Sequence, residues 1–587
     1  MTENTITLAM IVKNEAGNLR NCLKSACGQV DEIVIVDTGS TDATPEIARE
    51  YTDRIYHFPW NEDFSAARNF AIEKARGEWI LCLDADEELI PGTGSLKELV
   101  ARDSGTEVYL LPLNNSTADT AGRYNRFHVL RLFKNNGRYR FQGKIHEQVT
   151  VPESGTVAVA EGPVINHRML SPRERNRKRS RNLVLLKKAY SEDPQNHFLQ
   201  YYLGIEWFML GKADKALPFF RQAYRGLTDR NLLFKGPALR YLLICLKELG
   251  RLDEAICLCL EADRNYPEYT DIYYLGGILF EEKKEYLLAV KWFNRALKCG
   301  TPPPLYSHMN GAGSFLACYH LGYCYEMLGR PEAAMNYYEQ ALEVNPEYIY
   351  PLYNLFLAAL KKYGPQGTLE YLEGKGYPGR PAMALAAAGL FFTSGYPDLA
   401  LRCLKDCEAP REGAEEFCFY LGKYSIYSGN PRQGLDYLNR IPEESGLSPR
   451  LQIHRAVALL LLGRFPEARA AALELWKNHT TAPHAVVLLK LTRLVERGGP
   501  VNCPQRVRGM ELGKAAREIL DCCSRYLPGA EREPESTRFR RLFSGLEEII
   551  TNNSAGDCLS LIDYYRGKSC SIKNLLDSRF GSGGELP

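Results

Sequence analysis

Two aspartates separated by a single residue, Asp84 and Asp86, directly follow an apolar run that ends at Leu83. Carboxylates at positions i and i+2 of a bend can face one ligand, and Mg²⁺ or Mn²⁺ binds through such carboxylates together with diphosphate oxygens. The same tripeptide is frequent by chance as two solvated turn residues, so its weight depends on its surroundings. The pair predicts a divalent-metal site that also takes a diphosphate.

Polar residues also end two earlier apolar runs. Lys13, Asn14 and Glu15 follow the first run, and Asp37 closes the second. Carboxylates suit the recognition of ribose hydroxyls or a base N–H because each accepts two hydrogen bonds. The alternative for Asp37 is a structural role in the turn or helix cap that follows it, although Asp42 is the better cap candidate.

The elements that must position these residues alternate between strand and helix. Uninterrupted apolar segments predict four strands, at Thr7–Val12, Glu32–Val36, Arg54–Phe58 and Trp79–Leu83. Helical spacing predicts helices between them, at Asn14–Ser25, Thr44–Tyr51 and Ser65–Ala75. Fully apolar strands separated by amphipathic helices indicate a parallel sheet covered on both faces. Ligands bind such sheets at the carboxyl ends of the strands, where these polar clusters lie.

After about residue 190 the pattern becomes helical throughout and repeats itself. Ala388, Gly422 and Ala456 are equivalent positions 34 residues apart (422 − 388 and 456 − 422). Gly322 precedes Ala388 by 66 residues, which leaves room for one degenerate copy around residues 353–372. Small residues stand where paired helices would approach closely, and in most copies a glycine at the inter-helix turn supplies left-handed backbone. The period and residue types resemble the tetratricopeptide repeat, in seven or eight copies.

The overall composition excludes several classes of protein. The 587 residues carry 73 basic and 71 acidic side chains, which argues against a nucleic-acid partner. The 17 cysteines lack metal-site clustering, as expected of buried thiols in a reducing compartment. The first residues resemble no secretion signal, and no apolar run approaches the roughly 20 residues that span a bilayer. We therefore expect a cytoplasmic protein without a membrane span; a homo-oligomer is compatible with the sequence.

Five segments in a fixed order resemble the family 2 glycosyltransferases with the GT-A fold, particularly bacterial members joined to tetratricopeptide repeats. Sublancin-type peptide S-glycosyltransferases are relatives of that branch. The resemblance covers about residues 5–190 and rests on these segments: Ile11-Val-Lys-Asn-Glu15, Val36-Asp-Thr-Gly-Ser-Thr-Asp42, Phe64-Ser-Ala-Ala-Arg-Asn69, Ala75-Arg-Gly-Glu-Trp79 and Leu83-Asp-Ala-Asp-Glu87. It implies an α/β GT-A (Rossmann-like nucleotide-diphospho-sugar transferase) domain followed by an all-α tetratricopeptide-like solenoid.

The predicted domain boundaries follow from this division. Residues 1–170 form the transferase domain and residues 171–190 a basic helical linker. The repeats extend over residues 191–495, and residues 496–587 form a helical cap with a frayed tail. Within the cap, helical spacing is found at Leu512–Leu520, Phe539–Ile550 and Leu559–Leu576.

The resemblance also implies roles for the donor-binding residues. Glu15 and Asp37 would contact the base and ribose of the nucleoside, next to Lys13 and Asn14. Arg68 would lie near the sugar or the diphosphate, for which the alternative is a surface ion pair.

The metal and the acceptor involve residues further along the chain. Asp84 would bind the donor together with Mg²⁺ or Mn²⁺, Asp86 would bind the metal, and His167 resembles a third metal ligand, unless it is a core histidine. Inverting enzymes of this fold place an acidic base facing the acceptor, and the pair His146–Glu147 lies where that base is expected. Because adjacent strand residues point to opposite faces, only one of the two faces the acceptor, and Glu147 is favoured.

A basic run between residues 173 and 181 follows the transferase segment; its members are Arg173, Arg175, Arg177, Lys178, Arg179 and Arg181. Such a run is usually a solvated helix face. The alternative is that one or two of its side chains close over the diphosphate. Nucleic-acid binding is a poor third reading, because no aromatic residues are interleaved with the charges.

Together these observations predict an inverting, metal-dependent transferase. Its donor would be a UDP-hexose or UDP-N-acetylhexosamine, and its acceptor a peptide or protein bound by the repeats, since repeat grooves bind segments of chain. The alternatives are a glycan or small-molecule acceptor, or a non-catalytic scaffold with a vestigial transferase domain. The sequence does not distinguish O-, S- and N-linked products.

Overall fold

A computed structural model of the chain describes residues 4–102, 105–116, 124–168, 172–228, 232–405, 407, 413–497, 509–523, 545–546 and 549. The chain forms two compact units, residues 1–348 and residues 349–586. The first unit contains a mixed sheet followed by helix pairs, and the described residues of the second unit are helical.

The first unit is built on one mixed sheet with the strand order β3-β2-β1-β4-β7-β6-β11-β5; β10 joins it beside β6 and β12 beside β7. A separate pair, β8 and β9, is antiparallel. The strands are β1 (Ile6–Val12), β2 (Glu32–Asp37), β3 (Ile55–His57), β4 (Trp79–Leu81), β5 (Glu87–Leu89), β6 (Val108–Ser116), β7 (Tyr124–Lys134), β8 (Phe141–Gln142), β9 (Gln148–Val149), β10 (Val157–Val159), β11 (Ile165–His167) and β12 (His308–Met309).

Only the first half of the sheet is parallel throughout, as predicted. β1 pairs in parallel with β2 and β4, and β2 pairs in parallel with β3. In the second half β7 runs antiparallel to β4 and β6, and β11 runs antiparallel to β5. The four predicted strands are thus parallel to their neighbours among themselves, as predicted, and the antiparallel pairs involve strands that the sequence did not predict. β6 and β7 form a hairpin, whose connection is too short for a parallel crossover.

Both faces of the sheet are covered by helices, as predicted. Along β1, Leu8 and Met10 pack into a core with α1, α2 and α4, whereas Ala9 packs on the opposite face with α3. This alternation follows from the two-residue period of a strand, and it explains why the strands are apolar on both sides. The helices are α1 (Leu19–Ala26), α2 (Thr44–Arg49), α3 (Phe64–Lys74) and α4 (Leu96–Ala101).

Helix α1 begins at Leu19, five residues later than predicted. The preceding segment is a turn fixed to the loop after β2. The Asn14 N–H donates to Ser40 Oγ at 3.0 Å, and the Asn14 side-chain carbonyl accepts the Thr41 N–H at 2.7 Å. Asn14 has a φ of 55°, a left-handed conformation that asparagine tolerates better than most residues. The turn holds residues 14 and 15 at the carboxyl end of β1.

The rest of the first unit consists of α5 and four helix pairs. Their bounds are α5 (Pro172–Glu192), α6 (His197–Met209), α7 (Ala213–Gly226), α8 (Leu232–Glu248), α9 (Leu252–Asn265), α10 (Thr270–Glu282), α11 (Tyr286–Cys299), α12 (Phe315–Met327) and α13 (Pro331–Val344). The second unit contains α14 (Tyr350–Gly374), α15 (Pro381–Thr393), α16 (Pro397–Lys405), α17 (Ala414–Tyr427), α18 (Pro431–Leu438), α19 (Ser448–Leu461), α20 (Phe465–Trp476), α21 (Ala482–Arg497) and α22 (Gly509–Cys523).

Glycine has the two roles in these pairs that the sequence predicted. Glycines in the turns between paired helices have φ between 69° and 89°; these are Gly211, Gly250, Gly329, Gly395, Gly429 and Gly463. At Gly322 the reason is space, because a Cβ there would lie 2.5 Å from the Tyr338 ring of the paired helix. The degenerate copy around residues 353–372 lies in α14, whose helical backbone breaks at Gly364.

The C-terminal predictions are covered only in part. Helix α22 contains the predicted helical segment 512–520. The predicted helix 539–550 lies almost wholly outside the described residues, and the predicted helix 559–576 and frayed tail lie wholly outside them. Among the residues that the structure describes, no helix is both long and apolar enough to cross a bilayer.

The loop between α11 and α12 returns to the transferase sheet, which the sequence did not predict. It supplies β12, which pairs antiparallel with β7 at Asn125 and Arg126. A buried ion pair on α8 and α10, Arg240 Nη1 with Asp271 Oδ2 at 3.1 Å, lies beneath this loop. Asp271 also accepts the Met309 N–H at 3.1 Å, so the pair ties the repeats to the added strand.

Candidate active site

The carboxyl ends of β1 and β2 carry the residues predicted to bind a nucleoside. Asp37 is the last residue of β2, and its carboxylate accepts the Ser40 hydroxyl at 2.5 Å and the Ser40 N–H at 3.1 Å. Glu15 Oε2 accepts the Asn18 side-chain amide at 2.8 Å. Lys13 and Asn14 are exposed beside them. Asp37 therefore stabilises the turn after β2, and each carboxylate retains further acceptor capacity for a ligand.

Asp84 lies between two arginines. Its Oδ1 accepts Arg68 Nη2 at 2.6 Å, and its Oδ2 accepts Arg131 Nη2 at 2.8 Å. Burial opposes the charge of Asp84, but the two guanidinium groups outweigh it and hold its pKa well below the usual range. Glu87 completes the cluster from β5: it accepts a second bond from Arg131 at 2.5 Å, and burial raises its pKa. Asp84 is thus an anionic anchor for Arg68 and Arg131.

Asp86 faces a different set of groups, although it is only two residues away. Its Oδ2 lies 2.9 Å from Lys178 Nζ and 3.6 Å from His167 Nε2. Lys178 Nζ is also 3.6 Å from Glu15 Oε1. Burial opposes the ionisation of Asp86, but His167 and Lys178 lower its pKa. The ammonium group of α5 therefore bridges the predicted metal ligand and the predicted nucleoside ligand.

His167 is held at the end of β11 with one ring nitrogen towards Asp86. Its Nδ1 lies 3.1 Å from the side-chain oxygen of Asn115 on β6, which leaves Nε2 on the Asp86 side. Burial lowers the pKa of His167, but the neighbouring Asp86 outweighs it and raises the pKa overall. Within the described ranges, no three His, Cys, Asp or Glu side chains are grouped as metal ligands. The two side chains that could hold a metal together are Asp86 and His167, and oxygens of a bound diphosphate would complete the coordination.

Arg68 connects this edge of the sheet to the predicted base. Its Nε donates to Glu147 Oε1 at 2.5 Å, while Nη2 bonds Asp84. Arg68 is buried on α3, whose N-terminus is capped by the Asp63 carboxylate. Its third nitrogen, Nη1, is buried without a hydrogen-bond partner among the described residues. The alternative of a surface ion pair does not fit Arg68, because the side chain is inside the site.

The segment around His146 and Glu147 differs from its prediction. It is not a strand: residues 143–147 form a bend between β8 and β9, and His146 has a φ of 52°. The two side chains nevertheless have different neighbours. Glu147 pairs with Arg68, whereas the His146 ring stacks on Tyr202 of α6. Their separation thus comes from the bend, not from the alternation of a strand.

The basic run divides between structural and site positions. Lys178 enters the site, while Arg179 donates to the Met209 carbonyl at 3.1 Å and Arg181 lies over the Phe64 ring. Arg175 Nε is buried without a partner among the described residues. The side chains of Arg173 and Arg177 are outside the described part of the structure. The reading as a wholly solvated face is therefore wrong for Lys178 and Arg179, whereas Arg181 is exposed, as that reading predicts.

Lys178 is one of the basic residues for which a role at the site was the alternative prediction, whereas two residues of the site were missed by sequence reasoning. Glu87 had a sequence signal, because it directly follows the aspartate pair. Arg131 lies on β7, 47 residues further along the chain than Asp84, and no sequence pattern indicated that it belongs to the site.

Parts of the chain resemble families and proteins that are already known. Residues 7–150 match the sequence model of Glycosyl transferase family 2, and residues 315–348 and 421–483 match those of the Tetratricopeptide repeat. The chain is 27% identical over 306 residues to the SPbeta prophage-derived glycosyltransferase SunS of Bacillus subtilis, covering 49% of this chain and 69% of that protein. The protein therefore carries a family 2 glycosyltransferase domain followed by tetratricopeptide repeats, which confirms the predicted family and fold class.

Two further relatives match shorter segments. The TPR repeat-containing protein Synpcc7942_0270 of Synechococcus elongatus is 45% identical over 145 residues, or 24% of this chain and 35% of that protein. The lipopolysaccharide core biosynthesis glycosyltransferase LpsC of Rhizobium meliloti is 31% identical over 175 residues, or 27% of this chain and 62% of that protein. The chain thus spans about a third of the first relative and less than two thirds of the second.

Proposed function

We propose that this protein transfers a sugar from a nucleoside diphosphate donor to a peptide or protein acceptor, with inversion at the anomeric carbon. The supporting observation is the convergence of Glu15, Asp86, His167 and Lys178 at the carboxyl edge of the sheet, within 3.6 Å of one another in successive pairs. This is the edge at which open α/β sheets bind their ligands.

In this proposal the donor is UDP-hexose or UDP-N-acetylhexosamine. Glu15 and Asp37 bind the nucleoside through their free acceptor positions, next to Lys13 and Asn14. Lys178 turns from Asp86 to the diphosphate, because its half-buried ammonium group is the cation nearest to the two carboxylates. Arg68 offers its unpartnered Nη1 to the donor. An oxygen ligand there would remove the cost of a buried unpaired donor, about 1–3 kcal/mol.

The metal in this proposal is Mg²⁺ or Mn²⁺, held by Asp86 and His167. The two side chains fit it because Asp86 Oδ2 and His167 Nε2 are 3.6 Å apart and Asn115 orients the histidine from the other ring nitrogen. Asp86 Oδ2 becomes available to the metal when Lys178 turns to the diphosphate. When bound, the metal supplies positive charge for the leaving diphosphate. We assign Asp84, the other predicted ligand, to the support of Arg68 and Arg131.

The acceptor reacts on the side of Glu147 and His146. The acceptor oxygen or sulfur forms a bond to the anomeric carbon while the bond from that carbon to the diphosphate breaks. Glu147, oriented by Arg68, takes the acceptor proton, and His146 is the alternative base. A thiol acceptor needs less help than a hydroxyl, since a small fraction is already thiolate near neutral pH.

Two observations bear on the class of acceptor. The repeats follow the transferase domain directly, and a repeat surface that holds a segment of chain raises its concentration at the site. A glycan acceptor is the second candidate, because LpsC is named for lipopolysaccharide core biosynthesis. An experiment distinguishes the peptide acceptor from the glycan acceptor. The protein is incubated with a UDP-sugar whose sugar is radiolabelled and with either a peptide library or oligosaccharides, and the product that carries the label identifies the acceptor class.

Donor and metal are tested by the thermal stability of the intact protein. A ligand that binds the folded state stabilises it, by about 2.7 kcal/mol at a hundredfold excess over Kd, and so raises the melting temperature. We expect a rise with a UDP-sugar plus Mn²⁺ that Asp86→Ala abolishes, together with sugar transfer, while the fold is kept. No rise with any UDP-sugar plus metal would contradict the donor assignment, and normal turnover by Asp86→Ala would contradict the metal assignment.

A further inference from the structure

The bend that carries the two candidate bases has an unfavourable backbone. His146 has a φ of 52°, in the left-handed region that residues with a side chain seldom adopt. Such a conformation is unfavourable and persists only when the surrounding structure holds it. Something must therefore fix residues 143–147 in this form.

The contacts that hold the bend include those of three consecutive side chains. Ile145 is buried among apolar side chains of α5 and α6, including Leu186 and Leu203. Glu147 is tied to Arg68 on the transferase side. Between them the His146 ring lies flat on the Tyr202 ring, with the centroids 3.7 Å apart and the planes within 2°. A stacked aromatic pair is stabilising beyond the burial of its area, so it helps to offset the cost of the backbone conformation.

Tyr202 is part of the repeats, not of the transferase domain. It lies on α6, the first helix of the first helix pair, beside Tyr201 and the Phe234 ring of α8. These neighbours fix the plane of Tyr202, and Tyr202 in turn fixes the plane of His146. The repeats thus set the position of a residue that directly precedes Glu147.

The free atom of His146 makes this contact relevant to chemistry. His146 Nε2 is buried and has no hydrogen-bond partner among the described residues. Burial, with Arg181 nearby, lowers the pKa of His146 to about 4, so the ring is neutral at neutral pH. In the tautomer that carries its proton on Nδ1, Nε2 can accept a hydrogen bond from the hydroxyl or thiol of the sugar acceptor.

We propose that Tyr202 of the first repeat helix is a positioning residue for acceptor activation: it holds His146, and through it the backbone that presents Glu147. This rests on the proposed transferase function. The repeats then complete the reaction site in addition to binding the acceptor, and transfer depends on the first helix pair even for a short acceptor that does not reach the later repeats.

The test compares Tyr202→Leu with Tyr202→Phe in the full-length protein. Tyr202→Leu removes the stack, and we expect kcat for transfer to fall at least about tenfold, with the donor-induced thermal shift unchanged. Tyr202→Phe keeps the ring and should retain kcat within about twofold. The matched control is Tyr325→Leu, which removes a stacked pair with Tyr337 in the fourth helix pair and should leave kcat unchanged.

A second measurement needs no activity. Diethylpyrocarbonate labels accessible histidine, and peptide mass spectrometry locates the label. We expect His146 to react much more slowly than the exposed His479 in the unaltered protein, and faster in Tyr202→Leu. Equal kcat for Tyr202→Leu and the unaltered protein, or rapid labelling of His146 in the unaltered protein, would overturn the proposal. Absence of any transfer by the unaltered protein, with slow His146 labelling, would count against the proposed function alone.

Discussion

The two aspartates of the motif should have separable roles. Asp84 neutralises two buried guanidinium groups, whereas Asp86 faces Lys178 and His167. We therefore compare Asp84→Asn with Asp86→Asn, since asparagine keeps the shape of each side chain but removes its charge and replaces one acceptor oxygen by an NH2 donor. The first change should act on stability and the second on donor binding.

The magnitudes follow from burial and from the remaining partners. The side chains of Arg68 and Arg131 are 8% and 15% exposed, and Asp84 is 36% exposed. Breaking a fully buried ion pair costs about 3–5 kcal/mol. Because Glu147 and Glu87 still serve the two arginines, and Asp84 is partly exposed, we expect a loss of about 2–4 kcal/mol. For Asp86 the loss should stay below about 1 kcal/mol, since Lys178 is also about a third exposed and can turn to water.

The assay is thermal unfolding with and without UDP-sugar and Mn²⁺. Asp84→Asn should lower the melting temperature without ligand by about 3–5 °C, the shift that a loss of about 2–4 kcal/mol gives for a unit of 348 residues. Asp86→Asn should melt close to the unaltered protein but lose the metal-dependent rise. If the two variants melt at the same temperature without ligand, the assignment of Asp84 to structural support is refuted. If Asp86→Asn keeps the full rise, Asp86 is not the residue that binds the metal.

Three other outcomes follow from the same contacts. Lys178→Met should strengthen Mn²⁺ binding in the absence of the sugar donor by roughly tenfold, because a cation next to the metal position is removed. The same change should weaken UDP binding. Isothermal titration measures both affinities, and a loss of both would contradict this arrangement. Burial lowers the pKa of His146, His308 and His454 to about 4 each. Histidine in the unfolded chain takes up a proton near pH 6.5, so the free energy of unfolding is unaffected by these groups above about pH 6.5. It decreases as the pH falls towards 4, by up to about 1.4 kcal/mol per pH unit for each group. Urea unfolding at pH 7 and pH 5 measures the decrease, and His454→Gln should make it smaller. Gly322→Ala should destabilise the first unit by about 1–3 kcal/mol, because the added Cβ would lie 2.5 Å from an aromatic ring; an equal melting temperature would show that the ring can move.

Several features of the site were predictable because they depend on short stretches of chain. Glu15, Asp37 and Asp86 follow apolar strands, and the carboxyl ends of parallel neighbours meet at one edge whatever the rest of the fold does. The repeats were predictable for a similar reason, since each helix pair contacts mainly its neighbours and the pattern recurs at a fixed spacing. Glycine at the inter-helix turns is a property of the local backbone.

The sequence by itself thus determined the family, the two-part architecture and the edge of the sheet where the carboxylates meet. Only the tertiary structure decided how the charges pair. Arg131 comes from an antiparallel strand that sequence reasoning did not place beside β4, and Lys178 lies 92 residues from its partner Asp86. The bend at His146 and the stack on Tyr202 likewise depend on packing between the transferase domain and the first repeat helix. A charged or aromatic side chain has the same local pattern whether it meets solvent or a distant element, because the partner is chosen by the folded chain.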